Sequence, residues 1–310
     1  MKKQLLIIAA SLSLMPVGNL FAVQNQTFIK STETLIAKNI SHSNHHESLM
    51  EKGDKKYKSK DYKGAITDYS KILINNPNDF HALFQRALSK SYLNDHVGAI
   101  KDYTKAIEID PEYASAFYNR GLSKDKIDDA YGAISDFNKA IAIDGKYQKA
   151  YIYRGYAKSD IGDHEGAIKD LTSAIEIKPE DAYGYSARGY VKERAGDYYA
   201  AISDYSKAIK IDPDDYYSFA GRGYAKGQIG DNKGAIIDFT KAIELNPDDS
   251  YSFFGRGVIN KISGNYDLAC DDWIKSSDLG YEGADKKANE CKNTDHVKKN
   301  IQELLSSQNY

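Results

Sequence analysis

The chain has 310 residues, of which 41% are hydrophobic and 28% are charged. This length accommodates two ordinary domains or one elongated array, and composition does not choose between them. Lys and Arg number 42 against 44 Asp and Glu, and the two signs are interspersed along the chain. No basic stripe is therefore present to neutralise a phosphate backbone, and nucleic acid is not an expected partner.

The first 22 residues have the pattern of a secretory signal peptide. Lys2 and Lys3 precede an uncharged, largely apolar run over residues 5–15, and a small residue stands at Ala22. We expect Sec-type export with cleavage near Ala22, which predicts a periplasmic or secreted protein. The run is short for a membrane span, so stable membrane insertion is not expected. The alternative is an uncleaved N-terminal anchor.

Residues 23–45 show little periodicity and are rich in Ser, Thr and Asn, which predicts a linker. His42, His45 and His46 are its one feature that resembles a metal site. Three imidazoles bind a metal weakly, and no Cys or carboxylate stands at the spacing of a metal site. We therefore expect a solvated linker with no metal and no cofactor.

An internal repeat occupies the middle of the chain. The tripeptide Gly64-Ala65-Ile66 returns in steps of 34 residues, at 98–100, 132–134, 166–168 and 234–236, with variants at 200–202 and 268–270. With its central Ala taken as position 20, seven repeats run from residue 46 to residue 283. Apolar and small residues recur at helical spacing in each repeat, so we predict two antiparallel helices per repeat.

Small residues and helix-ending prolines occupy fixed positions in these repeats. Position 8 is Gly or Ala and position 20 is Ala in all seven, so the paired helices can approach closely, while large residues at positions 4 and 24 fill the remaining volume. Proline at position 32 ends the second helix because its ring cannot continue one. It occurs in five repeats, as Pro77, Pro111, Pro179, Pro213 and Pro247.

This pattern resembles the tetratricopeptide repeat family over residues 46–283. The resemblance implies an all-α fold: a right-handed superhelical solenoid of about seven helix pairs, with the first helices lining a concave groove. It also implies a C-terminal capping helix that covers the last apolar surface. We assign residues 284–310 to capping and C-terminal helices, the latter with an apolar stripe formed by Val297, Ile301, Leu304 and Leu305.

Position 7 departs from the common family pattern, which has Leu there. It is Arg in six repeats and Lys52 in the first, and an Asp follows sixteen residues later in every repeat, as in Arg120 and Asp136. Antiparallel helices that turn near position 16 bring positions 7 and 23 to the same height. We therefore predict an ion pair within each repeat that fixes helix register; the alternative is a ladder of arginines that binds a ligand.

Cys270 and Cys291 are the two cysteines of the chain. Cys270 stands at a core position of the seventh repeat, and Cys291 lies in the expected capping helix. In an oxidising compartment a disulfide would tie down the cap, and closing a loop of about 20 residues stabilises by about 3 kcal/mol. The alternative is a pair of buried thiols.

Catalytic motifs are absent from the sequence, including G-x-S-x-G, the P-loop, H-E-x-x-H and G-x-G-x-x-G. The first six repeats also lack an anomalous cluster of titratable residues that would break their symmetry. We therefore expect that the protein is not an enzyme.

Tyrosines recur at positions that the family points into its groove. They are Tyr156, Tyr190 and Tyr224 at position 9 and Tyr183, Tyr217 and Tyr251 at position 2. The other candidate groove residues are Tyr118, Phe84 and Phe254. Positions 5 and 6 are small in the fifth and sixth repeats, so we predict a recess with tyrosine walls that suits an extended or helical peptide. Alternatively, these tyrosines pack between adjacent repeats.

The predicted function is a non-enzymatic scaffold, exported to the cell envelope, that binds a peptide or protein segment in the groove. The alternative is binding of cell-wall glycan by sugar stacking on the tyrosines. The carboxylate clamp of some relatives is matched only in fragments, by Asn119 and Lys149. We expect a monomer or a weak homo-oligomer.

Overall fold

The structure is a computed structural model that describes residues 46–293. All regular secondary structure in this range is α-helical, which confirms the predicted all-α fold. The predicted signal peptide, the linker over 23–45 and the apolar stripe at 297–305 lie outside the described residues. Between residues 46 and 293 no helix is both long enough and apolar enough to cross a membrane.

Fifteen helices follow one another within the described range, two for each repeat and one for the cap. Helix α1 covers 46–58, and α15 covers 282–293. Between them lie α2 Tyr62–Asn75, α3 Phe80–Tyr92, α4 His96–Ile109, α5 Ala114–Asp125, α6 Ala130–Ile143, α7 Gln148–Asp160, α8 His164–Ile177, α9 Ala182–Arg194, α10 Tyr198–Ile211, α11 Tyr216–Gln228, α12 Asn232–Leu245, α13 Ser250–Ile262 and α14 Tyr266–Asp278.

The described residues form two compact units, 46–110 and 111–293. The first unit holds repeats 1 and 2, with Leu49, Tyr69 and Leu83 in its core. The second holds repeats 3 to 7 and the cap. Within each unit every helix packs on the next one in the chain, and in the second unit the first helices of neighbouring repeats also touch. Helices α7, α9, α11 and α13 therefore lie side by side.

An Asp at position 16 starts the second helix of six repeats by accepting a backbone hydrogen bond. Asp95 Oδ1 accepts from Gly98 N at 2.9 Å. A Cβ added to Gly98 would collide with the Asp95 carboxylate, which explains the recurrent glycine at position 19. The one alanine there lengthens the bond to 3.1 Å, between Ala200 N and Asp197 Oδ1. The cap fixes where the helix begins and stabilises it by about 1 kcal/mol.

Close helix contact within a repeat depends on the small residue at position 8. A Cβ on Gly121 would lie 2.8 Å from the Phe137 ring, and one on Gly257 would lie 2.8 Å from the Trp273 ring. These aromatic residues at position 24 fill the core between the paired helices. The complementary roles of positions 8 and 24 that the sequence predicts are present in the structure.

The Arg and Asp of positions 7 and 23 form a bidentate ion pair. In repeat 3, Arg120 Nε and Nη2 donate to the two Asp136 oxygens at 2.8 and 2.7 Å. Lys124 adds a second cation, 2.9 Å from Asp136. The Arg–Asp pairing is confirmed in repeats 2 to 7, as Arg86–Asp102, Arg120–Asp136, Arg154–Asp170, Arg188–Asp204, Arg222–Asp238 and Arg256–Asp272.

The third guanidinium nitrogen connects neighbouring repeats. Arg188 Nη1 donates to Thr172 Oγ1 at 3.0 Å, and Arg222 Nη1 donates to Ser206 Oγ at 3.0 Å. The partner stands at position 25 of the preceding repeat and is Ser, Thr or, for Arg154, Asn138. The sequence pattern did not indicate it. Because these arginines use all three nitrogens within the fold, the structure supports a structural role rather than a ligand-binding ladder.

The prediction for repeat 1 is wrong. Lys52 is exposed, and Asp68 is paired with Lys56 at 2.5 Å and with Lys71 at 3.1 Å. Lys52 lacks the planar fork of donors that lets arginine bind a carboxylate from position 7, whereas Lys56 comes from position 11, the position that supplies the second cation in other repeats. Burial opposes ionisation of Asp68, but the hydrogen bonds from Lys56 and Lys71 outweigh it and lower its pKa.

A disulfide joins the cap to repeat 7. Cys270 on α14 and Cys291 on α15 are bonded, with their Cα atoms 5.5 Å apart. Cys291 is buried against Trp273 and Ala269, so the cap covers the last apolar surface of the array.

Candidate functional site

The nine predicted groove residues lie on the first helices of repeats 2 to 7, and the structure divides them into three groups. Four of them line one pocket in the second unit: Tyr156, Tyr183, Tyr190 and Tyr217. Three line another pocket in the same unit: Tyr224, Tyr251 and Phe254.

The remaining two, Phe84 and Tyr118, pack on aromatic neighbours. Phe84 stacks on Phe80 with ring centroids 6.1 Å apart and meets Tyr103 edge-on at 5.7 Å. Tyr118 is only 8% exposed and lies 5.0 Å from the Tyr147 ring. Both side chains are therefore packed against other rings of their own repeats, and neither lines the two pockets.

The larger pocket has a volume of about 770 Å³ and opens between α7, α9, α10 and α11. We call it the tyrosine pocket, after its walls of Tyr156, Tyr183, Tyr190, Tyr205 and Tyr217. Ala182 and Ser186 also line it, and their short side chains leave the space open.

The tyrosines of this pocket both pack and remain accessible. The Tyr156 ring meets Tyr183 and Tyr190 of the next repeat edge-on, at 6.5 and 6.1 Å. Tyr217 stacks on Tyr216 at 4.1 Å. Nevertheless Tyr183, Tyr190 and Tyr217 keep 46%, 42% and 67% of their surface exposed. Packing on the preceding repeat therefore fixes Tyr183 and Tyr190, stacking within α11 fixes Tyr217, and all three rings keep accessible surface.

Carboxylates form the charged part of the lining. They are Glu180, Asp181, Asp212 and Asp215, and no Lys, Arg or His lines the pocket. Asp181 accepts a hydrogen bond from Gln148 Nε2 at 2.7 Å, and Asp215 accepts one from Ser218 Oγ at 2.5 Å. These are neutral donors, so the rim keeps a negative charge.

Glu193 is a site residue that sequence analysis missed. It lies on α9, and its Oε2 accepts a hydrogen bond from Tyr205 Oη at 3.0 Å. Burial raises the pKa of Glu193 to about 7, although the bond from Tyr205 opposes the rise. A Cβ on Gly221 would collide with the Tyr205 ring, so this glycine gives the tyrosine room. The available signal was a Glu at position 12, one of the variable groove positions.

The second pocket is apolar and has a volume of about 380 Å³. Tyr224, Tyr251 and Phe254 line it, together with Val258 and Ile262, and no charged residue contributes. Glu193 influences the titration of both Tyr224 and Tyr251, while its hydrogen bond reaches Tyr205 of the tyrosine pocket. Glu193 thus lies between the two pockets.

The described residues contain no group of three or more His, Cys, Asp or Glu side chains that could hold a metal ion. Of the three histidines singled out in the sequence, His42 and His45 lie outside the described range. His46 Nε2 is 2.6 Å from Asp79 Oδ2. Aromatic faces, hydroxyls, carboxylates and apolar side chains line the two pockets.

Family models for repeated helical units match the chain at four places. A model described as TPR repeat matches residues 92–125. A model described as Tetratricopeptide repeat matches residues 148–181, 182–215 and 216–249, the same bounds as the predicted repeats 4 to 6. No curated protein sequence matches the chain.

Several solved structures have a similar fold. A tetratricopeptide repeat protein from Parabacteroides merdae has a TM-score of 0.67 at 18% identity, over 80% of this chain and 97% of that one. The C-terminal part of a TPR repeat-containing protein from Cytophaga hutchinsonii has a TM-score of 0.57 at 19% identity, over 75% and 96%. The MamA protein is 29% identical, with a TM-score of 0.51 over 55% and 93%.

Proposed function

The chain belongs to the tetratricopeptide repeat family, whose members are typically non-enzymatic scaffolds for protein interaction, and we propose that it is an exported scaffold that binds a peptide or protein segment across repeats 4 to 7. The observation that carries this proposal is the tyrosine pocket, whose exposed rings, those of Tyr183, Tyr190 and Tyr217, come from two successive first helices, α9 and α11. Tyrosine supplies rigid apolar area and a hydroxyl at small entropic cost, which suits a binding surface. Burial and the neighbouring Tyr183 raise the pKa of Tyr156, so its hydroxyl is neutral at ordinary pH.

Export to the periplasm or the exterior is part of the proposal. It rests on the charged and apolar pattern of residues 1–22. The Cys270–Cys291 disulfide supports it, because such bonds persist in oxidising compartments and are rare in reducing ones.

Substitution of the exposed rings tests the proposal. The double variant Tyr190→Ala with Tyr217→Ala removes two pocket walls. The matched control is Tyr131→Ala with Tyr199→Ala, two tyrosines of α6 and α10 that are 74% and 73% exposed and line neither pocket. The readout is crosslinking in the cells that make the protein, followed by mass spectrometry, with helical content checked by circular dichroism.

We expect the pocket variant to lose a protein crosslink that the wild type and the control variant retain. An unchanged set of crosslinks with an intact fold contradicts the proposal. Purified cell-wall glycan is the second ligand to assay, because the exposed face of Tyr217 also suits stacking on a sugar. Binding of glycan with no protein crosslink would favour that alternative.

A further inference from the structure

The charge of the tyrosine pocket is not neutralised within the fold. Glu180 is exposed, and Asp212 accepts a backbone hydrogen bond from Asp214 N at 3.1 Å. Neither these two nor the Asp181 and Asp215 carboxylates form an ion pair with any residue from 46 to 293. The pocket is therefore an acidic recess with aromatic walls.

Buried carboxylates elsewhere in the same unit are paired with cations. Asp204 and Asp238 each lie between an Arg and a Lys, at distances of 2.7 to 2.8 Å. The fold thus supplies cations for the carboxylates it buries in its core. Glu193, half-buried beside the tyrosine pocket, has the Tyr205 hydroxyl as its partner and takes part in no ion pair among the described residues.

A cation already contacts the ring face of one pocket tyrosine. The Arg194 guanidinium lies 5.8 Å from the centroid of the Tyr190 ring. Its charge is engaged by Asp160, so it does not neutralise the rim. This contact shows that a guanidinium fits over a pocket ring, and the other exposed faces, those of Tyr183 and Tyr217, offer the same attraction.

We infer that the tyrosine pocket recognises a Lys or Arg side chain of the bound peptide segment. The carboxylates of Glu180 and Asp212 attract the cation, and the tyrosine faces contact its charged head and apolar stem. A neutral or acidic side chain in the same place leaves the rim unpaired or repels it. The inference rests on the proposed function, since it names the chemistry of the segment that the groove binds.

Fluorescent peptide pools of random sequence, with one central residue fixed, provide the test. The fixed residue is Arg, Lys, citrulline or Glu, and anisotropy with the full chain measures affinity. Citrulline keeps the shape of arginine without its charge. We expect the Arg and Lys pools to bind roughly tenfold more tightly than the citrulline pool, and the Glu pool to bind most weakly.

Charge-neutralising variants locate the preference. Glu180→Gln with Asp212→Asn should abolish the advantage of Arg over citrulline, while the amide oxygen introduced at position 212 can still accept the backbone bond. The control is Glu112→Gln with Asp144→Asn, which changes the same charge at the same repeat positions, 33 and 31, away from the pocket. This control should keep the full advantage.

Each outcome is decisive. Equal binding of the Arg and citrulline pools, or an advantage that survives Glu180→Gln with Asp212→Asn, overturns the inference. If those pools still lose binding in the Tyr190→Ala and Tyr217→Ala variant, the groove remains the binding site and the charge preference alone is wrong. Failure of every pool to bind overturns both proposals.

Discussion

Repeats 1 to 3 and repeats 4 to 7 share one pattern of paired helices and, from repeat 2 onward, one Arg–Asp ion pair. They differ in what their first helices expose. In repeats 2 and 3, position 5 carries Phe84 and Tyr118, which pack on neighbouring rings. In repeat 5 the same position is Ser186, which lines a pocket. Phe84 and Tyr118 therefore fill space that Ser186 leaves open.

The turns between paired helices differ in the same way. At position 15 the backbone has positive φ in every repeat, yet repeats 1 to 3 have Lys60, Asn94 and Asp128 there. Repeats 4 to 7 have glycine, as Gly162, Gly196, Gly230 and Gly264. The later repeats therefore combine an unstrained turn with an open pocket, whereas the earlier ones tolerate strain in a turn and keep the surface packed.

The largest expected effect concerns the Arg–Asp ion pairs, which are present in both regions. Arg86→Leu and Arg188→Leu each remove the guanidinium from a buried aspartate, Asp102 or Asp204, and should each reduce the free energy of unfolding by about 3–5 kcal/mol. Chemical denaturation measures the loss. The control Arg194→Leu breaks an exposed pair and should cost less than about 1 kcal/mol. A large loss of stability at only one of the two buried aspartates would show that the ion pair does not contribute equally in the two regions.

Loss of the disulfide should weaken the C-terminal end only. Cys270→Ser with Cys291→Ser opens a loop with a sequence separation of 21. We expect a loss of about 3 kcal/mol and faster hydrogen exchange in α14 and α15. The exchange rates of α2 to α4 serve as the internal reference. Protection of α14 that is unchanged in the double variant would contradict the role given to the bond.

Glu193 should make stability depend on pH. Its pKa of about 7 in the folded protein lies above its ordinary value near 4.5, so the folded chain binds more protons between these two pH values. The stabilisation is full below the lower value and is lost as pH rises through the upper one, by about 2 kcal/mol after allowance for partial exposure.

Denaturation from pH 4 to pH 8 measures this dependence. Glu193→Gln should flatten the curve in that window, whereas Glu244→Gln, on an exposed part of α12, should leave it unchanged. Tyr205→Phe should move the descending limb to higher pH, because it removes the hydrogen bond that favours the carboxylate. A wild-type curve that rises across the window would refute the assignment.

The smallest effect concerns the turns. Lys60→Gly should stabilise by about 1 kcal/mol, because Lys60 has φ of 64° and its side chain disfavours that region. Gly196→Ala, at φ of 82°, should destabilise by a similar amount. Thermal unfolding measures both changes. Equal and opposite shifts would confirm that glycine at position 15 distinguishes the later repeats, and a destabilised Lys60→Gly variant would contradict it.

Much of the helical scaffold can be predicted from the sequence, because each structural role recurs at a fixed position of the repeat. Position 8 is small in seven repeats and the Arg–Asp pair of positions 7 and 23 recurs in six, so the helix pairs and the bridges could be predicted from spacing. Lys52 was misassigned because spacing does not tell which of the four lysines in α1 reaches Asp68. Repetition identifies a role only where the chemistry of the side chain repeats too.

The site could be predicted only in outline. The tyrosines of positions 2 and 9 were recognised as groove candidates, but their division between two pockets depends on Gly221, Ser186 and other small neighbours in adjacent repeats. The Tyr205–Glu193 bond joins position 24 to position 12, whereas Tyr69 of repeat 1 donates to Asp54 at position 9, so no fixed spacing predicts the partner. It depends on the packing of three helices.

Photo-crosslinking from one repeat position in the two regions tests the central claim most directly. A photoreactive amino acid replaces Tyr217 in repeat 6 and, in a separate variant, His81, which holds position 2 in repeat 2 and is also exposed. We predict that irradiation of producing cells yields a discrete protein crosslink from position 217 and only background from position 81. Equal crosslinks from both positions, or a crosslink from position 81 alone, would contradict the assignment of binding to repeats 4 to 7.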